Sequence, residues 1–86
     1  MPIKTALIEE TIQRLLADAG TGKTLGAIDV ARALAPEADW PALLPKVRRT
    51  AVDLALAGRL VIYRKGKPVD PNDFKGVWRM GLPRLD

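Results

Sequence analysis

The sequence predicts one small α+β domain over residues 1–86, in which three helices are followed by a small antiparallel sheet. Three observations predict this class. Up to about residue 57 the apolar residues recur at helical spacing, after Gly58 they alternate as they do in strands, and Gly20 and Gly58 each follow a helical segment. The expected order of elements is α-β-α-α-β-β. The apolar content of 48% is sufficient for a folded core.

The first helix is predicted from about Ile3 to Ala19, because its apolar residues fall on one stripe with a period of 3.6. Gly20 can adopt the positive φ that closes a last helical turn. The overlapping segment Ala17–Thr24, ADAGTGKT, nearly matches the phosphate-binding pattern GxxxxGK[ST]. A phosphate-binding loop, however, follows a buried strand and opens a helix. We therefore predict a helix end, no nucleotide site, and a short extended segment over Gly22–Gly26.

Two further helices are predicted between this segment and Gly58. The second spans about Ala27–Leu34 and ends before Pro36, and the third spans about Pro41–Ala57 with Asp39 as its N-cap. Gly58 closes the third helix. The core-facing residues of the third helix are expected to be Leu44, Val47, Ala51, Leu54 and Ala55.

The remaining segments are predicted to form a hairpin and a last strand. Leu60–Arg64 alternates as a strand does, and Lys65–Gly66 is a tight turn in which Gly66 supplies a positive φ. Lys67–Val69 returns briefly, Asp70–Phe74 forms a loop, and the last strand lies within Gly76–Leu82. The aromatic residues of this region are expected to fill the core behind the sheet: Tyr63, Phe74 and Trp78.

The composition argues against catalysis and metal binding. The chain has no His, no Cys and no Ser, which excludes Ser/His and Cys/His nucleophiles and zinc sites built on nitrogen or sulfur ligands. Asp70 and Asp73 are expected to shape a turn and not to hold a metal. We predict no enzymatic activity and no cofactor. No segment has the apolar length of a signal peptide core or a membrane span, so a cytoplasmic location without a membrane partner is expected.

The charge is distributed unevenly along the chain, whose net charge is +4. Up to Pro45 there are four basic and six acidic residues, whereas from Lys46 onward ten basic residues accompany four acidic ones. Such polarity suggests a basic face that could meet a polyanion, although charge alone slightly favours the alternative, a solvated basic surface that keeps the protein soluble.

The order of the elements and the Gly-turn hairpin resemble the winged-helix superfamily, over nearly the whole chain. The segments DVARAL, LLPKVR, LAGRL and KGKPVDP, with Trp40, are also similar to a group of small bacterial proteins known only as a domain of unknown function. That group implies no activity and no catalytic residues. The winged-helix resemblance implies binding of double-stranded DNA, by the third helix in the major groove and by the hairpin on the backbone.

The candidate DNA-binding residues lie on the third helix and the hairpin. They are Lys46, Arg48, Arg49, Thr50, Arg64, Lys65 and Lys67. The third helix carries no Asn or Gln, so we expect backbone-dominated, salt-sensitive binding, with a role as a transcription-associated regulator. The alternative is a protein-interaction module or homodimer, because Val52 and Leu56 are expected to point outward. The choice between DNA and RNA stays open.

Overall fold

The structure is a computed structural model that describes residues 4–20, 22–35 and 39–83. These residues form three α-helices, one short 3-10 turn and one four-stranded antiparallel sheet, which confirms the predicted α+β class and the predicted order. The elements in chain order are α1 (Thr5–Ala19), β1 (Thr24–Gly26), α2 (Ala27–Leu34), the 3-10 turn (Trp40–Leu43), α3 (Leu44–Leu56), β2 (Val61–Arg64), β3 (Lys67–Pro68) and β4 (Arg79–Gly81).

Helix α1 forms as its apolar stripe predicts. Ile8, Ile12 and Leu16 are fully buried on one face. The predicted start at Ile3 lies outside the described residues, but the predicted end is confirmed. Gly20 has φ +87°, and its N–H donates to the Leu16 carbonyl oxygen at 3.0 Å. The glycine-rich segment therefore begins as the end of a helix.

Helix α2 has the predicted bounds, and its first turn is capped. The Asp29 carboxylate accepts a hydrogen bond of 2.9 Å from the Gly26 N–H, which satisfies one of the free donors at the helix start. The following Pro36 lies outside the described residues. The predicted helix end at Leu34 is nonetheless confirmed by the observed bounds.

The predicted third helix is divided in two by its second proline. Residues 40–43 form the 3-10 turn, and the α-helix begins only at Leu44. Pro45 has no N–H to donate to the carbonyl of Pro41, and its ring clashes with that carbonyl in an α-helix, so one continuous helix from Pro41 is disfavoured. The predicted N-cap is also wrong in part. The Asp39 side chain makes no capping bond, and only its main-chain carbonyl accepts, from the Ala42 N–H at 3.2 Å.

The sheet has the order β1-β4-β2-β3, so the last strand in the sequence lies between the first two. In this register Met80 of β4 is opposite Leu25 of β1 and Ile62 of β2. Strand β4 is shorter than predicted, because Gly76 has φ +83° and turns the chain before Val77. The short strand β3 pairs only with the end of β2.

One core lies between the helices and the sheet. The three α-helices and the two central strands contribute to it. Met80 and Ile62 form the sheet side of the core, each with at most 1% exposure. Phe74 is buried as predicted, whereas Tyr63 and Trp78 are half-buried. The buried apolar residues are Ile8, Ile12, Leu16, Val30, Ala31, Val47, Ala51, Leu54, Leu60, Ile62, Phe74 and Met80.

Candidate nucleic-acid interface

The outer face of α3 presents a small set of charged side chains. Lys46 and Arg49 are exposed, and the acidic Asp53 is exposed one turn after Arg49. The opposite face is buried through Val47 and Leu54 and fixes the rotation of the helix. The two cations are therefore free to contact a polyanion, and one carboxylate lies beside them.

Thr50 does not belong to this face, which corrects the sequence prediction. Its exposure is 2%, and it lies on the buried side of α3 with Val47, Ala51 and Leu54. The predicted stripe included Ala55 and left out Thr50, whereas Thr50 is buried and Ala55 is half-buried against the core. A residue buried in this way cannot reach a base or a phosphate.

The hairpin tip, residues 65–67, carries the second set of cations. Lys65 has φ +52° and Gly66 has φ +79°, so both central residues of the turn are left-handed, as in a type I′ hairpin. Lys65 and Lys67 are exposed on either side of Gly66. The turn geometry thus places two ammonium groups at the end of a two-stranded projection.

Arg48 and Arg64 are held by the chain to a greater extent than the sequence indicates. The Arg48 Nη2 donates to the Phe74 carbonyl oxygen at 2.8 Å, and its guanidinium lies over the Phe74 ring at 4.1 Å from the centroid. The Arg64 Nε donates to the Val77 carbonyl oxygen at 3.2 Å. Both acceptors are neutral, so each guanidinium keeps its charge while its position is restricted.

Arg79 is a structural cation that the sequence analysis did not single out. Its Nε donates to Thr24 Oγ1 at 2.7 Å and its Nη2 to the Thr24 carbonyl oxygen at 3.0 Å. These bonds join β4 to β1 across 55 positions of sequence, and no local pattern could have signalled them. They also occupy the Thr24 hydroxyl, the group that would face Mg²⁺ in a phosphate loop. After the glycines the chain enters β1, where a phosphate loop would enter a helix.

The comparison with known protein families gives a match over residues 5–83, to a family described as "Protein of unknown function (DUF3253)". The chain belongs to the DUF3253 family. The match begins at the first residue of α1 and ends two residues after β4, so the DUF3253 unit coincides with the fold described above. No curated protein matches the chain at a significant level. The predicted similarity to a domain of unknown function is thus confirmed.

The exposed apolar residues of this DUF3253 domain agree with the sequence prediction only in part. Leu56 is 57% exposed, as expected, but Val52 is half-buried and packs against the core, so the predicted outward pair is wrong for Val52. Val77 is more exposed than Leu56, at 85%, and Ile28 is slightly less exposed, at 48%. Among the described residues, no helix is long and apolar enough to cross a bilayer.

The turn-forming role predicted for Asp70 is confirmed. The Asn72 N–H donates to Asp70 Oδ1 at 2.9 Å, and the Asp73 N–H donates to the Asp70 carbonyl oxygen at 3.0 Å. Asp70 therefore shapes the turn through its side chain and its main chain. Within residues 4–20, 22–35 and 39–83, no three acidic side chains come together as a metal site would require.

Proposed function

We propose that this DUF3253 domain binds double-stranded DNA through the outer face of α3 and the hairpin tip. The observation that carries the proposal is the pair of exposed cation sets, Lys46 with Arg49 on the helix and Lys65 with Lys67 on the hairpin. The order of the elements and the position of β4 between β1 and β2 support a winged-helix arrangement. In that arrangement a helix enters the major groove and a hairpin reaches the backbone.

The binding is expected to depend mainly on phosphate contacts. The exposed residues of α3 include no Asn or Gln, the side chains that read adenine most directly, and Asp53 repels phosphate beside Arg49. Arg48 and Arg64 are oriented by carbonyl oxygens and contribute charge from fixed positions. Affinity should therefore fall steeply with salt, and base sequence should matter little.

Fluorescence anisotropy with a labelled mixed-sequence DNA duplex tests the proposal, at about 50 mM and about 150 mM salt. We expect binding at low salt that weakens at the higher salt. The double variant Arg49→Glu with Lys67→Glu should abolish measurable binding, because each cation set then carries one carboxylate that repels the phosphates. Thermal unfolding should be nearly unchanged, because both residues are exposed.

The matched control reverses two charges elsewhere. Lys4→Glu with Arg14→Glu changes the net charge by the same amount, at exposed residues of the α1 region. It should weaken binding much less than the α3 and hairpin variant. Equal losses in the two double variants would show that only net charge matters and would overturn the proposed interface. Equal affinity for an RNA duplex would overturn the assignment to DNA.

A further inference from the structure

An open groove lies where the first turns of α2 and α3 meet the loop that precedes β4. Its volume is about 840 Å³, within the range of about 300–1,000 Å³ that is usual for small-molecule sites. One wall is formed by Ala27 and Ile28, a second by Leu44 and Pro45, and the third by the loop before β4. The groove thus has three separate elements as walls and is open to solvent.

The loop wall is held in place by contacts with the rest of the fold. Gly76 has φ +83° and directs the chain so that Val77, 85% exposed, and the half-buried Trp78 line the groove. The Val77 carbonyl oxygen accepts the bond from Arg64 Nε, and the Trp78 ring packs edge-on against Phe74 at 5.6 Å between centroids. Isolated exposed apolar residues are ordinary, but Val77 and Ile28 are exposed into the same concave surface.

Two arginines, Arg48 and Arg79, are also among the residues that line this apolar surface, and each carries a positively charged guanidinium. Each is oriented by hydrogen bonds to neutral oxygens, of Phe74 and of Thr24, so the bonds fix the groups without neutralising them. The one carboxylate in the lining, Asp29, accepts the Gly26 N–H. The groove therefore has an excess of positive charge beside apolar walls.

We infer that the groove binds a small anionic ligand with an apolar body, namely an aromatic or branched aliphatic carboxylate. The apolar walls suit the body of such a molecule, and an oriented guanidinium is the group that best matches a carboxylate. The starts of α2 and α3 add little to anion binding, since the Gly26 N–H is already bonded and Pro45 has no N–H. The sugar-phosphate backbone of DNA is a poor match, because it would bring many charges against Val77 and Ile28. The inference does not depend on the proposed DNA binding.

The test compares para-tert-butylbenzoate with its neutral amide, para-tert-butylbenzamide, by NMR of the ¹⁵N-labelled protein. The chain has two tryptophans, of which Trp78 lines the groove and Trp40 does not, so the Trp40 indole signal is an internal control. We expect the carboxylate to shift the Trp78 indole signal saturably and leave that of Trp40 in place. The amide should bind about three- to tenfold more weakly, since it lacks the charge. Equal affinities, or no saturable shift with either compound, would overturn the inference.

A pair of variants locates the site independently. Val77→Asp puts a carboxylate at the groove wall, and Leu56→Asp puts the same group at the far end of α3, outside the groove. Both positions are exposed, so both variants should remain folded by circular dichroism. Val77→Asp should weaken benzoate binding by about fivefold or more through repulsion and lost apolar contact, and Leu56→Asp should leave it unchanged. Unchanged binding in Val77→Asp, or an equal loss in both variants, would place the ligand elsewhere and contradict the inference.

Discussion

Arg48 of α3 and Phe74 of the loop before β4 are joined by two contacts at once. The Arg48 Nη2 lies 2.8 Å from the Phe74 carbonyl oxygen, and the guanidinium carbon lies 4.1 Å from the centre of the Phe74 ring. Phe74 itself is buried, with 6% exposure. One side chain thus fixes both the main chain and the ring of a residue 26 positions later, and it attaches the loop to the helix.

Replacing Arg48 with alanine should destabilise the domain. The variant loses a charge-assisted hydrogen bond and a cation–π contact, for which we expect about 1–2 kcal/mol in the free energy of unfolding. Urea denaturation followed by circular dichroism measures it. The control is Arg49→Ala, the adjacent exposed arginine on the outer face, which should change stability by less than about 0.5 kcal/mol. Equal effects of the two substitutions would show that the contacts with Phe74 contribute nothing.

Replacing Lys65 with asparagine should stabilise the fold and weaken the proposed DNA binding. Lys65 has φ +52°, a conformation that Asn adopts more readily, and Asn-Gly is favoured in type I′ turns. We expect a gain of about 0.5–1 kcal/mol in thermal or urea unfolding. Loss of one phosphate contact should lower the salt dependence of DNA binding by about one charge.

Lys67→Asn is the matched control for that substitution. It removes the same charge two residues later, in strand β3. It should weaken DNA binding to a similar extent without stabilising the fold, because Lys67 has no left-handed conformation to relieve. If neither variant alters the salt dependence, the hairpin tip does not contact phosphate.

The chain should not bind ATP at the glycine-rich segment. Gly20 ends α1, β1 follows the glycine-rich segment, and the Thr24 hydroxyl accepts a bond from Arg79, so the segment does not open a helix as a phosphate-binding loop does. Isothermal titration with ATP and Mg²⁺ at millimolar concentration should detect no binding to the parent chain or to Lys23→Ala. ATP binding that Lys23→Ala removes would contradict this reading of the segment.

The local elements could be predicted because their signals are local. The end of α1 at Gly20, the bounds of α2 and the turn at Lys65–Gly66 each depend on residues within a few positions of one another. The break in the third helix also had a local signal, namely the spacing of four residues between Pro41 and Pro45. A prediction that applied the missing N–H of Pro45 to its partner four residues earlier would have found the break.

The candidate site was less predictable, because its geometry depends on packing between distant segments. Thr50 and Ala55 lie on opposite sides of the stripe formed by Val47, Ala51 and Leu54, and the sequence does not say which side the rest of the fold covers. The bonds from Arg48 to Phe74 and from Arg79 to Thr24 join residues 26 and 55 positions apart. The groove exists only because those long-range contacts bring three elements together.

The central place of β4 has a consequence for how the domain folds. The strand that pairs with both β1 and β2 is formed by residues 79–81, so β1 and the β2–β3 hairpin cannot join into one sheet until that segment is available. Until then β1 lacks the strand that it pairs with in the described sheet, and Met80 is missing from the centre of the core. If the helices formed earlier, their apolar faces would stay exposed to solvent until the sheet covered them. Folding of the described domain should therefore be a cooperative event that is completed only when β4 pairs with both β1 and β2.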